Sequence, residues 1–151
     1  MAEFSLEFAE RMSEASESIL ESQKIDSDRA AIYSALVACE IAIKSALESA
    51  GVSNIPKTHD LGKLMQLLTS CTVVIDSRRV PASRFRGLVV DSNYANATVG
   101  HLLQGEKYGA SVFPNQIRYG DLLAHFPVAL ILKLSKKVVS WVKDNGSSIE
   151  A

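Results

Sequence analysis

Apolar side chains return every three to four residues along most of this chain, a spacing that predicts helices rather than strands. Over 4–23, Phe8, Met12, Ala15 and Ile19 share one face while glutamates fill the others, which predicts a first amphipathic helix. Glu3 and Glu7 suit its positive N-terminal end. The break at 23–28, QKIDSD, offers Asp26, Ser27 or Asp28 as a cap for a second helix. In that helix Ile32, Leu36, Cys39, Ile43 and Leu47 trace one apolar stripe, and Ala35, Ala38, Ala42 and Ala46 permit close approach of a neighbour. Gly51 fits the left-handed position that ends many helices.

Pro56 then restricts Ile55 to extended geometry. Thr58 is the expected cap of a third helix over about 59–70, with Leu61, Leu64, Met65 and Leu68 inward. Residues 73–76, VVID, have strand propensity, but a lone strand has no partner, so they read as a helix end or an extended connector. Pro81 opens a helical segment over roughly 82–91, with Phe85, Leu88 and Val89 inward. Residues 92–117 read as a long loop with one short helix near 101–104. From Pro127 onward, Val128, Ile131, Leu134, Val138 and Trp141 line a last helix, and Lys133, Lys136, Lys137 and Lys143 lie outside that stripe. The pattern therefore predicts an all-α, up-and-down bundle of four to five helices. One domain covers 1–146 and residues 147–151 form a disordered tail.

Composition narrows this only a little. The chain has 151 residues, enough to bury a core in one domain, and 47% of them are hydrophobic. No apolar run reaches the roughly 20 residues of a membrane helix. The N-terminus is acidic and lacks the pattern of a secretory signal. Cys39 and Cys71 have no metal-ligand spacing, so a cytoplasmic protein with two reduced, buried thiols is expected. Charge is segregated: residues 1–50 hold ten acidic and four basic residues, and residues 51–151 hold seven acidic and twelve basic. Such asymmetry marks either an anion-binding face or an acidic helix in water beside a mildly basic remainder.

Several short motifs occur in a definite order. Glu40 and Lys44 are one helical turn apart, Thr58-His59-Asp60-Leu61 opens the third helix, and Arg118-Tyr119-Gly120-Asp121 precedes the last. Together, over about residues 26–143, they resemble the HEPN domains, small helical proteins whose name refers to nucleotide binding in higher eukaryotes and prokaryotes. The resemblance implies a homodimer that binds nucleotide or RNA. Many such proteins are metal-independent ribonucleases, of toxin–antitoxin or defence type, that use an arginine followed by a histidine. Here those residues are Arg118 and His125, with six residues between them, the outer limit of the family's spacing; Tyr119 stands where a polar residue is common. In that role Arg118 forks onto the scissile phosphate and His125 moves protons. The plainer alternative has Arg118 bridging a carboxylate and His125 capping a helix or packing on Phe126. The resemblance also allows a non-catalytic interaction module partnering a small nucleotidyltransferase or an antitoxin.

Other candidates carry two readings each. Lys44 either pairs with Glu40 on the helix surface, worth roughly 0.2–0.5 kcal/mol, or faces a cleft and contacts phosphate. His59 is a second acid–base residue or orders the start of the third helix. Arg78, Arg79, Arg84 and Arg86 place four positive charges in nine residues, suited to a phosphate backbone or to a partner. P-loop, Rossmann, zincin and α/β-hydrolase motifs do not occur, and no cofactor or metal is expected.

Overall fold

The computed structural model describes residues 4–24, 26–93, 97–103 and 128–151. It is a helical bundle built around one central helix. Helix α1 covers Leu6–Glu21, α2 Ser27–Ser49, α3 Leu61–Thr69, α4 Val99–Leu103 and α5 Val128–Asn145. Helix α2 packs against α1, α5 and α3, so its apolar stripe is enclosed on several sides. Ile32, Leu36, Cys39, Ile43 and Leu47 are all buried, as their spacing predicts. By length and composition α2 could cross a membrane, but 72% of its most apolar stretch is buried inside the protein, as in the core helix of a helical domain.

The two ends of α2 differ. Asp26 precedes it in a left-handed conformation, φ +61°, and its side chain makes no capping bond. At the other end Gly51 has φ +86°; its N–H donates to the Glu48 carbonyl and that of Val52 to Leu47. This paired closure uses the one residue type that enters the left-handed region without strain. The chain is thereby turned at a fixed angle into the 52–60 connection, which crosses back over α2.

Helix α3 starts two residues later than Thr58 suggested. Asp60 is the cap, its Oδ1 accepting the Lys63 N–H at 3.1 Å, while Thr58 Oγ1 accepts the N–H of Asp60. Leu61, Leu64, Met65 and Leu68 are buried as predicted. Asp60→Ala is expected to cost about 1 kcal/mol. A urea unfolding midpoint equal to that of the parent protein would contradict the assigned cap.

Helix α1 is rotated relative to its predicted face. Ala9, Ser13 and Ser16 are the buried residues, and Phe8 is exposed. Small residues let α1 approach α5 closely enough for the Ser13 and Ser135 hydroxyls to bond at 2.7 Å. Lys143 to Glu10 at 3.2 Å, and Lys136 to Glu17, tie the rims of the same interface.

A small sheet corrects the reading of residues 73–76 as a connector. Strand β1 (Thr72–Ile75) pairs antiparallel with β2 (Arg78–Pro81) on one side and with β3 (Ile149–Glu150) on the other. Asp76 and Ser77 form the hairpin turn, both with positive φ, as such two-residue turns require. The expected disordered tail, 147–151, is therefore partly built into the fold: Ile149 is buried against Val73, and the Ala151 N–H donates to the Ala50 carbonyl. After Pro81 the chain makes a 3-10 turn, Ala82–Gly87, shorter than the predicted helix. Phe85 is buried there, Leu88 is half-buried and Val89 is exposed.

Candidate functional site

Glu40 and Lys44 face the same side of α2, where the 52–60 connection passes over it. Lys44 Nζ donates to Glu40 Oε2 at 3.2 Å, and both side chains are about nine-tenths buried. The pair is thus not the exposed surface pair that i, i+4 spacing usually gives. The other carboxylate oxygen, Oε1, lies 2.8 Å from His59 Nδ1. One buried carboxylate therefore holds an ammonium and an imidazole from two different elements. Phe4, just before α1, completes the wall: its N–H donates to Glu48 Oε1 at 3.2 Å and its ring lies 5.5 Å from Lys44 Nζ.

Phe4, Lys44, Glu48 and His59 surround a cleft of about 560 Å³, lined also by Val52, Ser53, Asn54, Ile55, Pro56 and Lys57. That size suits a nucleotide or a similar small ligand. The lining offers ammonium groups from Lys44 and Lys57, the outer edge of His59, the polar side chains of Ser53 and Asn54, and the Phe4 ring. Glu48 in the lining and Glu40 behind it carry as much negative charge as Lys44 and Lys57 carry positive, so the cleft is a mixed polar site and not a bare anion hole. Smaller hollows, about 220 Å³ between α1 and α5 and about 310 Å³ at the start of α2, lack such convergence of basic and aromatic groups.

The arginine cluster does not form one surface with this cleft. Arg79 pairs with Glu150 on β3 at 3.5 Å. Arg86 donates to Thr69 Oγ1 from both Nε and a terminal nitrogen, at 3.4 and 3.2 Å. A Cβ on Gly100 would sit 3.0 Å from the Arg86 carbonyl oxygen, so α4 packs directly on this residue's backbone. Arg86 is thus built into the fold. Arg78 and Arg84 are exposed and make no ion pair with a described residue. None of the four lines the cleft. Arg118, Tyr119 and His125 lie outside the described residues.

Among the described residues no three His, Cys, Asp or Glu side chains converge as a metal site would need. Cys39 and Cys71 are free and buried, and burial raises both thiols above their ordinary range. They stay protonated at neutral pH and are poor nucleophiles. Asp91 is held below the usual carboxylate range by its bond from Lys133 on α5, at 2.7 Å, which ties the 88–91 segment to the bundle.

Sequence reasoning named Lys44 and His59 but not the atom that joins them. Glu40 and His59 are nineteen positions apart on separate elements, so no local spacing announces the contact. Phe4 also went unnoticed, because its place in the cleft depends on where α1 docks.

Comparison with curated proteins gives no match, and neither does comparison with solved structures. A family profile described as the HEPN domain matches residues 2–126, taking in α1, α2, the 52–60 connection, α3 and the hairpin. Helical architecture and the order of the motifs agree with it, and the chain belongs to the HEPN domain family, whose members are of nucleotide-binding or ribonuclease type.

Proposed function

We propose that this HEPN chain binds RNA or nucleotides in the cleft between α2, Phe4 and the 52–60 connection. The observation that carries the reading is the convergence of Lys44, Lys57 and His59 beside an aromatic ring in a cleft of about 560 Å³. Ammonium groups answer phosphate, the ring offers a stacking surface for a base, and Ser53 and Asn54 supply hydrogen bonds for a sugar. Metal-independent cleavage of bound RNA, in a toxin–antitoxin or defence setting, is the finer form of this proposal. A non-catalytic module serving a nucleotidyltransferase is the alternative, and it predicts an empty cleft.

Calorimetric titration with AMP, ATP and a short single-stranded RNA distinguishes them. Binding should weaken as salt rises, because ammonium–phosphate contacts release counterions. Lys57→Ala and Lys44→Met should each weaken affinity about tenfold or more, the scale of one charged hydrogen bond. Circular dichroism controls for folding. If well-folded parent protein takes up none of the three ligands, the cleft is not the nucleotide site.

A further inference from the structure

We propose that His59, oriented by Glu40, is a proton-transfer residue of this cleft, acting on a ribose hydroxyl beside a phosphodiester. The proposal rests on the nucleotide and RNA reading of the site given above. Its first support is the tautomer. A ring that gives its Nδ1–H to a carboxylate carries, when neutral, its lone pair on Nε2. The 2.8 Å contact to Glu40 makes this arrangement, and Nε2 makes no hydrogen bond with a described residue. His59 lines the cleft and its side chain is 55% exposed, so the free edge is open to a ligand.

The second support is how firmly Glu40 is held. Its carboxylate is enclosed, and its other oxygen is anchored by Lys44. A group fixed this way sets the angle of the imidazole instead of following it. Third, the structural work at the start of α3 is already done without His59. Asp60 caps the helix and Thr58 accepts the Asp60 N–H. Fourth, the buried Glu40–Lys44 pair interrupts a core helix in which apolar side chains would be at least as stable. A buried charged pair is weak evidence for stability, so its presence here points to a task other than holding the fold.

In the step, His59 Nε2 takes the proton of a 2′-hydroxyl as the oxygen attacks phosphorus. The 2′-O–P bond forms and the P–O5′ bond breaks, leaving a 2′,3′-cyclic phosphate. The departing 5′-oxygen keeps the bonding pair and takes a proton from water. The hydroxide left behind receives the proton held on His59. No oxidant, reductant or metal enters the balance. Lys44 and Lys57 lie along the same cleft, where their ammonium groups can stabilise charge on the phosphate oxygens. In this scheme His59 is the catalytic residue and Glu40 a positioning residue.

The test uses the full chain and a labelled 30-nucleotide single-stranded RNA containing every dinucleotide step, in EDTA, with binding to the same RNA measured in parallel. His59→Ala should lose about 100-fold or more in kcat, the usual range for one acid–base group, a loss far larger than any change in KM or RNA affinity. Added imidazole should restore part of the loss, which a purely structural histidine would not allow. Glu40→Gln should lower kcat with KM unchanged, yet have no further effect in the His59→Ala background. His59→Gln is the second variant should the alanine form fold poorly. The proposal is overturned if parent protein binds the RNA without cleaving it. It is equally overturned if both His59 variants cleave at the parent rate while His125→Ala is inactive. Failure of the parent protein to bind any RNA or nucleotide instead removes the underlying site.

Discussion

Glu40→Ala is expected to lower the unfolding free energy by about 3 kcal/mol. The reason is the company Glu40 keeps. Lys44 is about nine-tenths buried and its Nζ rests 3.2 Å from Glu40 Oε2. Without the carboxylate, the ammonium loses its 3.2 Å partner, and the Phe4 ring lies 5.5 Å away. A buried charge stripped of its partner costs far more than the intact pair contributes. His59 is released at the same time. The double replacement Glu40→Leu with Lys44→Met should recover most of the loss, because neither charge is left alone. Urea denaturation of the parent, the single variants and the double variant forms the cycle. If Glu40→Ala unfolds at the parent midpoint, Lys44 reaches solvent more easily than its burial indicates.

Phe85→Ala is the second large effect, about 3–5 kcal/mol. Phe85 is fully buried and its ring centroid lies 4.8 Å from that of Trp141, tilted by 43°. The 3-10 turn that carries it contacts both α3 and α4, so this one side chain joins the middle of the chain to the last helix. Truncation leaves a cavity with rigid helices around it, which cannot collapse to fill the space. Trp141 is the only tryptophan, so its fluorescence reports the same locus. A parent-like midpoint with unchanged emission would show that the turn contributes little to the bundle.

Much of this fold was legible wherever one face of a helix meets large apolar neighbours. The α2 and α3 stripes and most of α5 point inward as their periodicity requires. Where the interface uses small residues, the same rule misleads. Helix α1 buries Ala9, Ser13 and Ser16 because close helix approach selects size over hydrophobicity, and Phe8 is left outside. Thr58 and Asp60 are both capping residues by chemistry, and only the path of the connection decides between them. The sheet escaped notice because two of its strands have four residues and the third has two, contributed from the far end of the sequence.

The site divides along similar lines. Glu40 and Lys44 were visible as a pair, but their burial was not, since it depends on the loop that covers them. The arginine run places four positive charges in nine residues, suited to a phosphate backbone or to a partner. In three dimensions Arg79 pairs with Glu150 and Arg86 donates to Thr69, while Arg78, Arg79 and Arg84 all stay exposed.

The pairing of β1 with β3 also sets an order of events. Val73 finds Val80 across a two-residue turn, but finds Ile149 only by closing a loop through α4 and α5. Loop closure on that scale carries an entropy cost that the local hairpin avoids, so the hairpin and the α1–α2 contact are expected to form before β3 docks. A chain emerging from the ribosome must hold Val73 without its second neighbour until Ile149 arrives. Over that interval one side of β1 is an unpaired strand edge, the kind of surface that invites pairing with another chain.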